Sequence, residues 1–194
     1  MIVVGVDEAG RGPLAGPVAV GAVAAEEGFD ILAAFPGLND SKRLSEKKRE
    51  ALFVLLQQAI RDGHIRATVT LMSVKEIDGE GVAHAVRHGV WKGVRKLLPN
   101  PEDGKVWLDG SLKAPPEYEQ DTVIGGDGIV PAIMLASVAA KVTRDRYMQK
   151  LDATYPLYGF AVHKGYGTKV HREAIREHGP CEAHRKSFLR NVLK

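Results

Sequence analysis

The sequence predicts an α/β fold, a β-sheet covered by helices. Short apolar runs of strand character come first in the chain, and further short strands then alternate with helix-length segments. A third observation sets the scale: 194 residues, 44% of them apolar, suffice for one domain with a full core and no staples. Sequence order alone leaves the order of the strands open.

Residues 2–7 and 17–25 read as two strands joined through a glycine-rich turn. Asn39 to Ser45 is polar loop, and Ser45 can cap a helix from Glu46 to about Arg61 that stops at Asp62-Gly63. A β-rich run, Ile65 to Met72, follows, and Ser73-Val74-Lys75-Glu76 has the spacing of a capping box for a short helical turn. A second long helix spans Val82 to Leu98, ended by Pro99. Lys105 to Leu108 and Thr122 to Ile124 are short strands leading to Asp109 and Asp127. Pro131 suits the first turn of a helix reaching about Thr154, and Thr168 can cap a last one closing at Gly179-Pro180. Trp91 and Trp107 are expected in the core, and His64, His84 and His88 on solvated faces.

Composition narrows the function classes. The single cysteine, Cys181, excludes an internal disulfide framework and fits a reducing compartment. No apolar stretch approaches the ~20 residues of a membrane span, and no basic residue precedes the apolar N-terminal run. A cytoplasmic protein without a secretory signal is therefore expected. Residues 1–140 carry 15 Lys/Arg against 19 Asp/Glu, whereas residues 141–194 carry 12 against 5. A basic helical part from about 141, beside a carboxylate-rich remainder, suits a polyanion gripped by one part and processed by the other. A solvated basic helix face would give the same count.

Asp7, Glu8, Asp109 and Asp127 each fall at or just beyond a strand end, where the crevice of an open α/β sheet receives its ligand. Gathered carboxylates repel one another unless divalent cations bind, and an all-oxygen donor set selects Mg²⁺ or Mn²⁺ over Zn²⁺. Two ions ~3.5–4 Å apart suit phosphodiester chemistry; strand-end aspartates also serve as plain turn or cap residues. Gly10-Arg11-Gly12 with Gly16 matches neither the dinucleotide fingerprint nor a Walker loop. It offers exposed backbone and an arginine to sugar or phosphate, or else a tight strand connection. In His163-Lys164-Gly165-Tyr166-Gly167-Thr168, Tyr166 sits between two glycines and can present its ring as a stacking platform; a bland loop would read the same way. His178, Cys181 and His184 have a metal-like spacing, but three candidates without a second Cys/His pair argue against structural zinc. Neither Ser137 nor Cys181 lies in a nucleophile motif.

Together these strings resemble ribonuclease HII, the type 2 ribonuclease H family, over nearly the whole chain. The resemblance rests on Asp7-Glu8-Ala9-Gly10-Arg11-Gly12-Pro13-Leu14-Ala15-Gly16-Pro17, Leu38-Asn39-Asp40-Ser41-Lys42, Leu108-Asp109-Gly110 and Gly125-Gly126-Asp127. It continues through Ala136-Ser137-Val138-Ala139-Ala140-Lys141-Val142-Thr143-Arg144-Asp145, the His163–Thr168 string, and Gly179-Pro180 with His184-Arg185-Lys186-Ser187-Phe188.

The resemblance implies an RNase H-like fold, a mixed central β-sheet flanked by helices with a helical C-terminal part. It implies endonucleolytic cleavage of RNA in RNA–DNA hybrids, and of duplex DNA on the 5′ side of a single embedded ribonucleotide. Water is the nucleophile, two Mg²⁺ or Mn²⁺ ions assist, and the ends are 3′-hydroxyl and 5′-phosphate. Carried over by motif, Asp7, Glu8, Asp109 and Asp127 are the catalytic, metal-holding carboxylates, Asp127 serving the second ion. Gly10, Arg11 and Gly12 sense the 2′-hydroxyl, the group that separates RNA from DNA, and Tyr166 stacks on the sugar of the following deoxynucleotide. Lys42, Lys141 and Lys164 are candidate phosphate contacts. Ser137 is a further polar contact or a helix-packing serine. Another carboxylate-metal nuclease acting on DNA would share the aspartates without needing the Gly-Arg-Gly and Tyr166 strings. A non-catalytic hybrid-binding module would be expected to lack a carboxylate. The chain stops soon after Phe188, so a longer C-terminal extension is not expected. No sliding-clamp motif is read in Ser187–Lys194, and a monomer is expected.

Overall fold

Ile2–Ala9 (β1) and Val18–Glu26 (β2) are apolar on both sides of the strand, a pattern that suits strands covered on both faces. In the computed structural model, which describes residues 1–193, they form the centre of a five-stranded sheet of order β3-β2-β1-β4-β5. Lys194, the last residue of the segment read for a clamp motif, lies outside the described residues. Ile65–Met72 (β3) and β2 pair antiparallel, as do β2 and β1. Gly104–Asp109 (β4) runs parallel to β1, and Glu119–Val123 (β5) parallel to β4. The sheet is therefore mixed.

The helices divide between its faces. Val82–Leu97 (α4) lays Val86, Val90 and Val94 on Val4, Val6, Val20 and Ala22. Pro131–Thr154 (α5) and Glu46–Arg61 (α2) pack Leu135, Ala136, Leu52 and Leu56 with Val23 on the opposite face. α5 approaches at backbone distance: a Cβ on Gly5 would lie 2.2 Å from the Ala132 carbonyl carbon, and one on Gly21 2.3 Å from the Ala136 oxygen. Any side chain at either position would push α5 off the sheet. Ser45 caps α2, and Ser73 and Glu76 form the expected capping box, opening Val74–Glu80 (α3).

The short helices Ile31–Ala34 (α1) and Phe160–His163 (α6) carry no sequence signal strong enough to read. Lys169–His178 (α7) starts at the expected Thr168 cap. With α6 and the end of α5, it encloses a third cluster of Ala15, Met148, Tyr158, Phe160, Ile175 and Leu189. Among the described residues, no helix is long and apolar enough to cross a membrane.

Three expectations need correction. β1 continues to Ala9, so Asp7 and Glu8 lie within a strand rather than beyond it, because β2 pairs with β1 as far as Ala9. The last strand begins at Glu119 and ends at Val123; parallel pairing to Lys105–Asp109 overrides its polar composition. Trp91 and Trp107 are only partly buried, each with a cation against its ring: Arg95 lies 5.4 Å from the Trp91 centroid and Lys105 5.2 Å from that of Trp107.

Candidate active site

The parallel ladder between β1 and β4 ends at Val6 opposite Leu108, so the next residue on each strand, Asp7 and Asp109, leaves the ladder at the same end of the sheet. Asp127 arrives from a 3₁₀ turn, Gly126–Gly128, and its backbone N–H donates to Asp109 Oδ1 at 3.4 Å. Carboxylate oxygens of Asp7, Asp109 and Asp127 lie within 4.8 Å of one another. Glu8 stands apart from this group. Successive strand residues face opposite ways, and its carboxylate accepts from Arg11 Nη1 at 3.3 Å. It still lines the same cleft.

The electrostatics are those of crowded acids. Burial raises the Asp7 carboxyl to about 7; a hydrogen bond from Ser137 opposes the rise, and the charges of Glu8 and Asp109 add to it. Burial also raises Glu8, with Arg11 opposing and Asp109 adding. The Lys42 ammonium lies 2.8 Å from Asp127 Oδ2 and is itself held above its ordinary value by that bond. An all-oxygen, acceptor-only donor set in which a carboxylate resists ionisation fits a hard divalent cation such as Mg²⁺ or Mn²⁺.

A cavity of about 250 Å³ joins Asp7, Glu8 and Asp109 to Gly10, Arg11, Gly12, Lys42, Ser137, Lys141 and Tyr166. Seven of the eight residues singled out around the carboxylates therefore share one cleft. Lys164 does not line it: its Nζ donates to Ala161 O at 2.5 Å, and it closes α6 with φ 52°. Lys141 is pinned at the rim, Nζ to Asp145 Oδ1 at 2.8 Å. Ser137 Oγ lies 2.8 Å from Ser41 Oγ, so the serine pair ties the Asn39–Lys42 loop to α5 directly beneath Asp7.

The glycine-rich loop divides into a structural and an open half. Gly10 has φ 88°, and a Cβ there would lie 1.9 Å from Arg144 Nε. Only glycine satisfies both conditions. A Cβ on Gly12 would meet nothing within 4 Å, so no intramolecular contact accounts for that residue; it borders the cleft instead.

Sequence reasoning quoted Arg144 and Arg185 within motifs but assigned them no role. Both are fully buried. Arg144 donates to the carbonyls of Pro17, Ala15 and Lys164 at 2.9, 3.2 and 3.0 Å, and its guanidinium carbon lies 5.8 Å from the centre of the half-exposed Tyr166 ring. Arg185 donates to Gly16, Arg11 and Gly10 at 2.9, 2.9 and 2.7 Å. Burial, with Arg144 nearby, lowers Arg185 to about 9. The readable signal for Arg144 was its place directly after the mostly small and apolar run Ser137–Thr143.

A relay of histidines supports the Tyr166 loop from behind. His184 Nδ1 accepts from the Cys181 N–H at 3.0 Å, leaving Nε2–H to donate to His171 Nε2 at 3.1 Å. His171 Nδ1–H then donates to Tyr166 O at 2.9 Å. Neutral imidazoles satisfy every partner, and burial lowers His171 to about 4. His184 thus serves packing and the relay, not the metal-like spacing with His178.

The family model described as Ribonuclease HII matches residues 4–191. Proteins named Ribonuclease HII from Burkholderia thailandensis and Burkholderia mallei are each 46% identical over 187 residues, covering 96% of this chain and 83% of theirs. Among solved structures, ribonuclease H2 from Pyrococcus horikoshii OT3 superposes with TM-score 0.79 at 26% identity, covering 100% of this chain and 97% of that one. The RNase HII of Archaeoglobus fulgidus, solved with PCNA, shares the fold with TM-score 0.77 at 22% identity over 99% of this chain and 97% of that one. Bst-RNase HIII, solved with Mn²⁺, shares it with TM-score 0.74 at 17% identity over 92% and 63%. A family match over nearly the full length, relatives 46% identical and a shared fold together show that the chain belongs to the ribonuclease HII family of nucleases, which are hydrolases.

Proposed function

We propose that the cleft hydrolyses the RNA strand of RNA–DNA hybrids and cuts duplex DNA on the 5′ side of a single embedded ribonucleotide, leaving 3′-hydroxyl and 5′-phosphate ends. The observation that carries this reading is the shared cleft, in which Asp7, Glu8 and Asp109 share one lining with the open backbone of Gly12 and with Tyr166, while Asp127 converges on Asp7 and Asp109.

Asp7, Glu8, Asp109 and Asp127 would hold two Mg²⁺ or Mn²⁺ ions. Such ions, when bound, lower the cost of activating water and of charge on the leaving oxygen. The chain supplies the rest. Gly10-Arg11-Gly12 reads the 2′-hydroxyl, Gly12 offering the open backbone, and Arg185 and Arg144 keep the loop in place. Tyr166, held by His171 and flanked by Arg144, stacks on the sugar of the following deoxynucleotide. A 2′-hydroxyl engaged by the loop is read and not spent as nucleophile, so no 2′,3′-cyclic product forms. Lys42 and Lys141 steer the backbone phosphates, Lys42 exchanging its bond to Asp127 for one to phosphate as the ions enter. Ser137 orients Asp7.

The decisive assay is cleavage of a DNA duplex holding one ribonucleotide, with Mg²⁺ or Mn²⁺, mapped to the nucleotide. All-DNA duplex, EDTA and Asp109→Asn serve as controls. A single cut 5′ of the ribonucleotide, lost in all three controls, is expected. A folded, metal-supplied protein that leaves this substrate intact, or that cuts all-DNA duplex equally well, would sink the proposal.

A further inference from the structure

Away from the cleft, α3 and α4 meet at a corner that brings three metal-ligating side chains together. Glu80 is the last residue of α3. Gly81 then takes φ 85° and ψ 151°, an extended left-side geometry that breaks the helix for a single residue before α4 starts at Val82. The break folds Glu80 back over the first turns of α4, where His84 and His88, four residues apart, occupy one face. His84 Nδ1 lies 2.5 Å and His88 Nδ1 3.9 Å from the same atom, Glu80 Oε2, and all three donor atoms fall within 4.8 Å of one another. The two imidazole centroids are 4.3 Å apart, with an angle of 50° between the rings.

We propose that Glu80, His84 and His88 bind one transition-metal ion of the zinc class, Zn²⁺, Co²⁺ or Ni²⁺, at a site separate from the carboxylate cleft. Two imidazoles and one carboxylate are a borderline donor set that favours these ions and gives Mg²⁺ no advantage. Tetrahedral bonds of about 2.0–2.1 Å put donor atoms about 3.3 Å apart. The observed 2.5 and 3.9 Å bracket that spacing, and the side chains are one-third to one-half exposed, so small rotations equalise them. Solvent fills the remaining position. A simple Glu–His hydrogen bond accounts for His84 but gives no reason for His88 to turn the same ring nitrogen toward the same oxygen. Glu76 adds negative charge near His88; its own oxygens are engaged by the Ser73 N–H and hydroxyl, each at 2.7 Å, and by Lys92 at 3.9 Å, so it is a neighbour and not a fourth ligand. The bound ion would tie α3 to α4. α3 also holds the C-terminal segment through Asp78, which accepts from the Lys186 and Ser187 N–H groups at 2.8 and 3.0 Å.

The test is titration of the untagged full chain with Zn²⁺ and Co²⁺ in excess Mg²⁺, comparing the unaltered protein with His84→Gln, His88→Gln and Asp109→Asn. One equivalent of Zn²⁺ is expected to bind, to raise the melting temperature, and to weaken by at least about ten-fold in either histidine variant, since even outer partners of a ligand are worth that much. Co²⁺ should show the visible absorption of a nitrogen-ligated site, retained in Asp109→Asn. Mg²⁺-supported nuclease activity should be unchanged in both histidine variants, and circular dichroism confirms that they fold. Zn²⁺ affinity that is equal in all four proteins, lost only with Asp109→Asn, or absent in the unaltered chain would overturn the proposal.

Discussion

Asp7, Asp109 and Asp127 crowd three carboxylates within 4.8 Å, while Arg144 and Arg185 bury two guanidinium groups under the loop that borders the same cleft. The two clusters handle buried charge in opposite ways. Each arginine spreads a fixed fork of donors over three backbone carbonyls, so peptide dipoles solvate the cation and the loop becomes rigid. The carboxylates can only accept, and the fold supplies them with Ser137, a few N–H groups and Lys42. Their remaining lone pairs meet other carboxylates. Charge satisfied by the chain is a brace; charge left unsatisfied is a place for a ligand.

That contrast predicts opposite outcomes for neutralising substitutions. Asp7→Asn should lower cleavage by about 10²–10³-fold, the usual scale for losing one preorganised electrostatic group. It should leave metal-free stability unharmed. A carboxyl raised from 3.8 to about 7 favours the folded state when protonated, so its contribution fades as pH climbs from about 4 to 7. Asparagine should remove that loss. Melting in EDTA at pH 8 checks it, and a markedly lower melting point for Asp7→Asn would break the comparison.

Arg185→Met should act the other way. It strips donors from the buried carbonyls of Gly10 and Gly16 and the partly buried one of Arg11, and should cost about 3 kcal/mol in urea unfolding. Activity should then fall through loss of the folded loop. Retention of full stability would show that water replaces the guanidinium.

The histidine relay yields the next effect. His171 is held from 6.5 down to about 4, so the folded state resists the proton that the unfolded chain accepts. Stability is therefore full above pH 6.5 and drains away as pH falls toward 4, by on the order of 2–3 kcal/mol. His163, His184 and Phe160 pack on its ring, and Cys181 and Tyr158 in turn on His184. His171→Gln should flatten that part of the pH profile, measured by urea unfolding at pH 7 and pH 4.5; an unchanged slope would remove the relay from the account.

The smallest stability effect separates the two glycines. Gly12→Ala meets open space and should shift stability by less than about 0.5 kcal/mol while impairing cleavage. Gly10→Ala, facing Arg144 at φ 88°, should cost well over 1 kcal/mol. Equal stability losses would mean that Gly12 is structural too.

Local physics made much of this legible. Ser45, Ser73, Pro131 and Thr168 announce helix starts that the fold keeps, because a cap acts within four residues. The strand-end carboxylates could be picked out because the residues just before them are apolar. Lys164 lies off the cleft, because its left-handed backbone turns the ammonium onto Ala161 O, a preference no neighbouring residue encodes. Glu8 leaves the Asp7–Asp109–Asp127 group for Arg11 yet lines the same cleft, a split that adjacent positions in the chain do not announce.

By itself, then, the sequence determined the α/β class, most helix boundaries, and the set of acids, glycines and the tyrosine from which the cleft is made. Tertiary structure alone decided which of them meet. The parallel register that sets Val6 against Leu108 brings Asp7 beside Asp109 across more than a hundred residues of chain. The burial that turns Arg144 and Arg185 from basic surface into a brace is likewise invisible along the sequence. Pairing and burial are sums over distant contacts, and no local spacing records them.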